Sequence, residues 1–112
     1  MNYRQFLKEY GYKTKDSSED GVLVLSYQDT KMAFNYLRDE NLVIWGGEIY
    51  IENSDAVIDH SFIVLDPSYH CFDWSYNEDN DDNIASSIAF ANISINKAKE
   101  AINKNIYVNL IL

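Results

Sequence analysis

Cysteine and proline each occur once in this chain of 112 residues, at Cys71 and Pro67, and glycine occurs only four times. A single cysteine cannot close an intrachain disulfide. The paired-cysteine framework that supports small secreted domains is therefore excluded. Scarce glycine and proline leave little room for long structureless loops. No apolar run approaches the ~20 residues a membrane helix needs. The first nine residues, Met1 to Glu9, contain no apolar stretch of the kind a signal peptide carries. Together these absences give the expectation of a cytoplasmic protein. The most uneven absence is that of basic charge, because no lysine or arginine lies between Asp39 and Asn96.

What is present is enough apolar material for one core. Hydrophobic residues make up 46% of the chain and charged residues 24%, which argues for a folded globular protein rather than disorder. The length suits one domain spanning residues 1–112. Net charge is −9, and it is segregated. The base-free stretch holds twelve acids: Asp39, Glu40, Glu48, Glu52, Asp55, Asp59, Asp66, Asp73, Glu78, Asp79, Asp81 and Asp82. The two flanks hold six acids and nine bases. Acidity alone serves solubility. Acidity confined to one segment also repels nucleic acid and anionic lipid while steering a basic partner inward.

Periodicity sets the elements. Tyr3, Leu7 and Tyr10 fall at helical spacing over residues 2–10, and Gly11 stands where a C′ glycine would end the helix. Residues 12–20 read as a loop, and Val22–Leu25 as a short buried strand. Ser26 has the form of an N-cap, with Asp29 three positions on, opening a helix to Arg38 that buries Ala33, Tyr36 and Leu37. From Asn41 to Glu52 the period becomes two. Val43, Trp45, Ile49 and Ile51 share the core parity, leaving Glu48, Tyr50 and Glu52 on the other face. Gly46-Gly47 inside this strand predicts a bulge or a close approach of neighbouring backbone.

Residues 53–59 read as an acidic loop, Ser61–Leu65 as a strand, and Asp66-Pro67-Ser68-Tyr69 as a type I turn. Another strand follows, with Phe72, Trp74 and Tyr76 on one face and Cys71, Asp73 and Ser75 on the other. The clearest signal is a long helix from Asp82 to Lys104. Ile84, Ile88, Ala91, Ile95, Ala98 and Ile102 mark one continuous face of it. Ile106, Val108, Leu110 and Leu112 then alternate as a final strand paired inside the sheet. The pattern predicts an α+β domain. Its small, mostly antiparallel sheet of about four to five strands packs on two to three helices, the long one near the carboxyl end.

Motifs for chemistry are tested and fail. Asn77, Asp79, Asp81 and Asn83 could supply calcium oxygens, but Asp82 occupies the glycine position of an EF-hand loop and Ile88 that of its bidentate glutamate. A loose, weak cation site is all that this loop offers. His60, His70 and Cys71 lack zinc spacing, and neighbours on a strand point to opposite faces, so His70 is not placed to activate Cys71. The bland reading is a surface imidazole and a partly buried thiol. No phosphate-binding glycine loop and no nucleophile elbow occur. The expectation is a non-enzymatic protein without cofactor or metal.

Two segments together resemble a known family. Leu25-Ser26-Tyr27-Gln28-Asp29 opens a helix that ends near Leu37, and Asn41-Leu42-Val43-Ile44-Trp45-Gly46-Gly47-Glu48-Ile49-Tyr50 follows. This is similar to the L-T-Y-x-D helix start and I-L-G-G-D-V-Y strand of bacterial immunity protein family 40. Ser26 stands for the threonine, Trp45 for the leucine and Glu48 for the aspartate. Asp73-Trp74-Ser75-Tyr76 resembles that family's later Y-D-N-W-Y segment without its asparagine. The resemblance implies a small α+β protein that binds and blocks a polymorphic or contact-dependent toxin. The acidic segment suggests that this toxin is basic, as nuclease domains are. The expected partner surface comprises Glu48, Tyr50, Glu52, Asp55, Asp59, Asp73, Glu78, Asp79, Asp81 and Asp82, with no role for nucleic acid or membrane. The alternatives are an acidic adaptor or regulatory module for another basic protein, and a small enzyme or cation binder using the acidic loop.

Overall fold

A computed structural model describes residues 1–14, 23–52, 58–59, 71–73, 83–102 and 105–112. In chain order the elements are α1 (Tyr3–Tyr10), β1 (Tyr12–Lys13), β2 (Leu23–Ser26), α2 (Tyr27–Asp39), β3 (Gly46–Glu52), β4 (Ile58–Asp59), β5 (Cys71–Asp73), α3 (Asn83–Ile102) and β6 (Ile106–Ile111). Every strand pairing is antiparallel. The sheet runs β1-β2-β6-β3, and the far side of β3 is shared, with β5 beside its first half and β4 beside its second. The sheet is thus five positions wide, and the final strand β6 lies inside it between β2 and β3. This is the predicted α+β arrangement of three helices on an antiparallel sheet, with the long helix followed by the last strand.

The helices form where caps and apolar faces coincide. Asn2 and Gln5 build a reciprocal capping box on α1. The Gln5 amide donates to Asn2 Oδ1 at 2.9 Å, and the Asn2 amide donates to Gln5 Oε1 at 2.9 Å. The Tyr3 amide donates to the Glu40 carboxylate at 2.8 Å, tying the start of α1 to the end of α2. The buried face of α1 is Tyr3 and Phe6, with Leu7 beside them, rather than the predicted Tyr3, Leu7 and Tyr10. Tyr10 is 46% exposed and leans on Phe6, ring centroids 4.8 Å apart. Gly11 ends α1, but in extended conformation at φ −72°, so it is not a left-handed C′ glycine.

Ser26 caps α2 as expected, accepting from the Asp29 amide at 3.2 Å. The buried face of α2 is Thr30, Ala33, Phe34 and Leu37, with Tyr36 only half-buried. The helix closes in a Schellman turn. Asn41 takes φ 57°, the Leu42 amide donates to the Leu37 carbonyl at 2.9 Å, and the Asn41 amide donates to the Arg38 carbonyl at 3.2 Å. Leu42 packs against the core that holds Leu37.

That turn corrects the strand boundary. Strand β3 begins at Gly46 rather than Asn41, because residues 41–45 leave the helix through the left-handed turn without entering the ladder. Ile44 takes the core place. It is fully buried, and its amide donates to Ser87 Oγ at 3.1 Å, while that hydroxyl donates to the Ile84 carbonyl at 3.0 Å. Trp45, predicted in the core, is instead 44% exposed, and its amide donates to the Ile111 carbonyl at 2.8 Å. Two predicted loops also contribute short pairings, Tyr12–Lys13 with β2 and Ile58–Asp59 with β3.

One core unites the three helices with one face of the sheet. Ile88, Ala91, Ile95 and Ala98 of α3 are buried in it, flanked by half-buried Ile84 and Ile102, as the helical period predicted. Ile49, Ile51, Ile106, Val108, Leu110 and Phe72 meet them from the strands. Leu112, placed with the alternating strand by its spacing, lies beyond β6 and is 44% exposed. The predicted strand Ser61–Leu65, the turn 66–69, Trp74 and Tyr76 lie outside the described residues.

Candidate functional site

The pleat of β3 sends successive side chains to opposite faces, and its burial follows. Ile49 and Ile51 enter the helix-side core, whereas Glu48, Tyr50 and Glu52 share the other face, as the sequence predicts. Cross-strand register builds that face outward. Tyr50 stands opposite Tyr107, Glu48 opposite Asn109 and Cys71, and Gly46 opposite Ile111 and Asp73. Ser26 stands opposite Tyr107, and Val24 opposite Tyr12. Directly opposed residues in an antiparallel pair share a face, so Tyr12, Val24, Ser26, Tyr107, Asn109, Cys71 and Asp73 all belong to it.

One of its three carboxylates is held by a neighbouring strand. Glu48 is half-buried and accepts from Asn109 Nδ2 at 3.0 Å. Glu52 is exposed and lies close enough to Tyr107 for its charge to act on the phenol. Burial first, then the negative charge of Glu52, pushes the Tyr107 phenol above its ordinary range. The Tyr12 ring meets Tyr107 edge-on, centroids 5.2 Å apart. Asp73 is exposed on β5. Strands β3, β5 and β6 carry Glu48, Glu52 and Asp73 and no lysine or arginine. Positions four apart on a strand are about 13 Å apart. Glu48 and Glu52 therefore flank Tyr50 with well-separated negative groups.

Two side chains differ from expectation. Tyr50 occupies the predicted face but is 5% exposed, packed with Val24 and Tyr107. It is a packing residue of this face rather than a projecting anchor. Tyr12, at 47% exposure, is the tyrosine there that projects. Cys71, expected as a partly buried thiol, is exposed, because β5 turns only Phe72 inward. Asp59 stands opposite Ile51 in the ladder, out of step with Glu52, which pairs with Ile58. Asp55, Glu78, Asp79, Asp81 and Asp82 lie outside the described residues. So do His60 and His70.

The glycine pair is a close approach, as predicted from the sequence. A Cβ on Gly46 would stand 2.6 Å from the Phe72 carbonyl oxygen, and one on Gly47 would run into the Phe72 ring and stand 3.1 Å from the Asn109 carbonyl. Glycine at both positions lets β5 lie against β3 and carries Asp73 beside Gly46.

Sequence reasoning missed a cleft between the helices and the sheet. Ser26, Tyr27, Gln28, Lys99, Asn105, Ile106 and Tyr107 line a cleft of about 350 Å³ where α2 begins and α3 ends. The signal was non-local, since three distant segments form it. Among the described residues, no group of three or more His, Cys, Asp or Glu is placed to hold a metal ion. No described helix is long and apolar enough to cross a membrane.

No curated protein and no solved structure matches the chain. A family model does match, that of Immunity protein 40, over residues 6–112. That span takes in β1 through β6 and all three helices apart from the first turn of α1, far more than the two segments that carried the resemblance in the sequence. With nearly the whole chain matched, this protein belongs to the Immunity protein 40 family.

Proposed function

We propose that this chain binds a cognate bacterial toxin in the cytoplasm and neutralises it, with the carboxylate-bearing face of the sheet turned to a basic, nuclease-type toxin domain. Family membership suggests toxin neutralisation and implies a toxin partner. The observation that carries the choice of surface is the charge pattern of β3, β5 and β6, three carboxylates and no base. A nuclease domain needs cationic groups to hold phosphates. An inhibitor bearing fixed carboxylates meets those groups quickly and occupies their sites. Desolvating a carboxylate helps only when it finds a well-placed arginine or lysine. Asn109 holds Glu48 in place beforehand, which reduces the ordering cost on binding. The acids of 77–82 add to the negative charge of the chain.

Charge reversal tests this reading. Glu52→Lys, and separately Asp79→Lys with Asp81→Lys and Asp82→Lys, should slow association with the toxin roughly tenfold or more at low salt and flatten its salt dependence. The fold should be retained, since Glu52 is exposed. Unchanged association rates and salt slopes in both variants would rule out the acidic interface. An acidic adaptor would instead retain a basic partner with no toxicity of its own.

A further inference from the structure

Beside Tyr50 the carboxylate-bearing face gathers three oxygen-bearing side chains from three strands. Tyr107 of β6 stands directly opposite Tyr50 of β3, so Glu52, two positions on, is its diagonal neighbour on the same face. Diagonal neighbours lie roughly 7–8 Å apart, within reach of long side chains. Tyr12 of β1 reaches across β2, and its ring meets the Tyr107 ring edge-on with centroids 5.2 Å apart. Burial first, then Glu52, then Tyr12 push the Tyr107 phenol above its ordinary range, so the three polar ends act on one another. Packing accounts for the rings, because Tyr107 lies against Val24 and Tyr50, which are 0% and 5% exposed. It does not account for the polar ends, since Glu52 is exposed, Tyr107 half-buried and Tyr12 47% exposed. Strands β3 and β6 carry no base. The one lysine of β1, Lys13, stands opposite Leu23 and so lies on the other face from Tyr12.

We propose that Tyr12, Tyr107 and Glu52 form the seat for one basic side chain of the toxin, the carboxylate matching its charge and the two phenol oxygens accepting its remaining hydrogens. A lysine ammonium carries three donors and no acceptor, and a guanidinium carries five. Either group loses water when an interface closes over it, and each donor left without an acceptor then costs free energy. An isolated carboxylate compensates such a group incompletely. A carboxylate with two phenol oxygens beside it offers acceptors to several donors at once. Tyrosines already fixed by packing lose little freedom on binding, so the seat is formed beforehand. The inference rests on the toxin-binding reading and deepens it. The dispersed carboxylates govern how fast the partners meet, whereas the seat governs how long they stay.

The seat can first be read without a partner. In the full chain, Glu52→Gln should bring the Tyr107 phenol down towards its ordinary value, followed by NMR titration of tyrosines labelled at Cζ. An unmoved Tyr107 would overturn the seat. Affinity and both rate constants for a candidate toxin domain are then measured with wild type, Tyr12→Phe, Tyr107→Phe, Glu52→Gln and the pair Tyr107→Phe with Glu52→Gln. Each phenylalanine removes a hydroxyl and keeps the ring contacts. The single variants should each weaken binding by about tenfold, chiefly through faster dissociation. The paired variant should lose less than the product of its two single losses, as groups that hold one cation together do. Because Glu52 is exposed, its variant reads the seat even if a tyrosine variant loses stability. All three single variants binding within threefold of wild type, while charge reversal at Asp79, Asp81 and Asp82 slows association, would overturn the seat and leave the toxin reading standing. A wild-type chain that binds no toxin domain would overturn both.

Discussion

Single residues set the close contacts of this protein, and their costs can be separated. Adding a methyl at Gly47 meets the Phe72 ring, the far end of a side chain, whereas adding one at Gly46 meets the Phe72 carbonyl, which is backbone. Both Gly46→Ala and Gly47→Ala should destabilise, by roughly 1–3 kcal/mol for an overpacked site. A second change, Phe72→Leu, should relieve Gly47→Ala and leave Gly46→Ala unrelieved. Urea unfolding of the single and double variants gives the coupling, and equal rescue of both would contradict the geometry. Tyr3 offers a pH test. Burial raises its phenol from 10.0 to about 12. Below pH 10 the phenol is neutral in folded and unfolded chains alike, so its contribution is intact. Between pH 10 and 12 the unfolded chain ionises first, and stability should fall by about 1.4 kcal/mol per pH unit. Tyr3→Phe should remove that component, seen as a shallower alkaline decline in chemical denaturation. Equal declines in the two proteins would mean that Tyr3 is not so buried.

At the scale of elements, legibility in the sequence tracks how local the determining contacts are. The face of α3 was readable because Ile84 to Ile102 repeat with the helix's own period and pack on one continuous sheet. The Ser26 cap was readable because donor and acceptor are three residues apart. The start of β3 was not, because the left-handed Asn41 and the Leu42–Leu37 bond absorb residues that alternation alone assigns to a strand. Trp45 was misplaced for that reason. The position of Tyr50 followed from parity, but its burial did not. That burial depends on Val24 and Tyr107, which reach it only through the β2-β6-β3 order. The same holds for the candidate site. Glu48 and Glu52 were visible on one strand, whereas their neighbours Asn109 and Tyr107 come from a strand more than fifty residues away.

For the whole molecule, the division of labour follows the division of charge. One face of the sheet carries the core and three helices. The other gathers Tyr12, Tyr107, Glu48, Glu52 and Asp73 without a compensating base from β3, β5 or β6. A surface of this kind gains nothing in folding from its carboxylates, since like charges repel. It gains on meeting cations. Family membership implies a toxin partner, and the proposal turns this face towards it. The most direct measurement is to co-express this chain with a candidate toxin domain proposed as its partner, isolate the pair, and assay toxicity with and without the chain. An equimolar complex that dissociates more readily as salt rises, together with protection of cells that make the chain, is the predicted result. No complex and no protection would contradict the account.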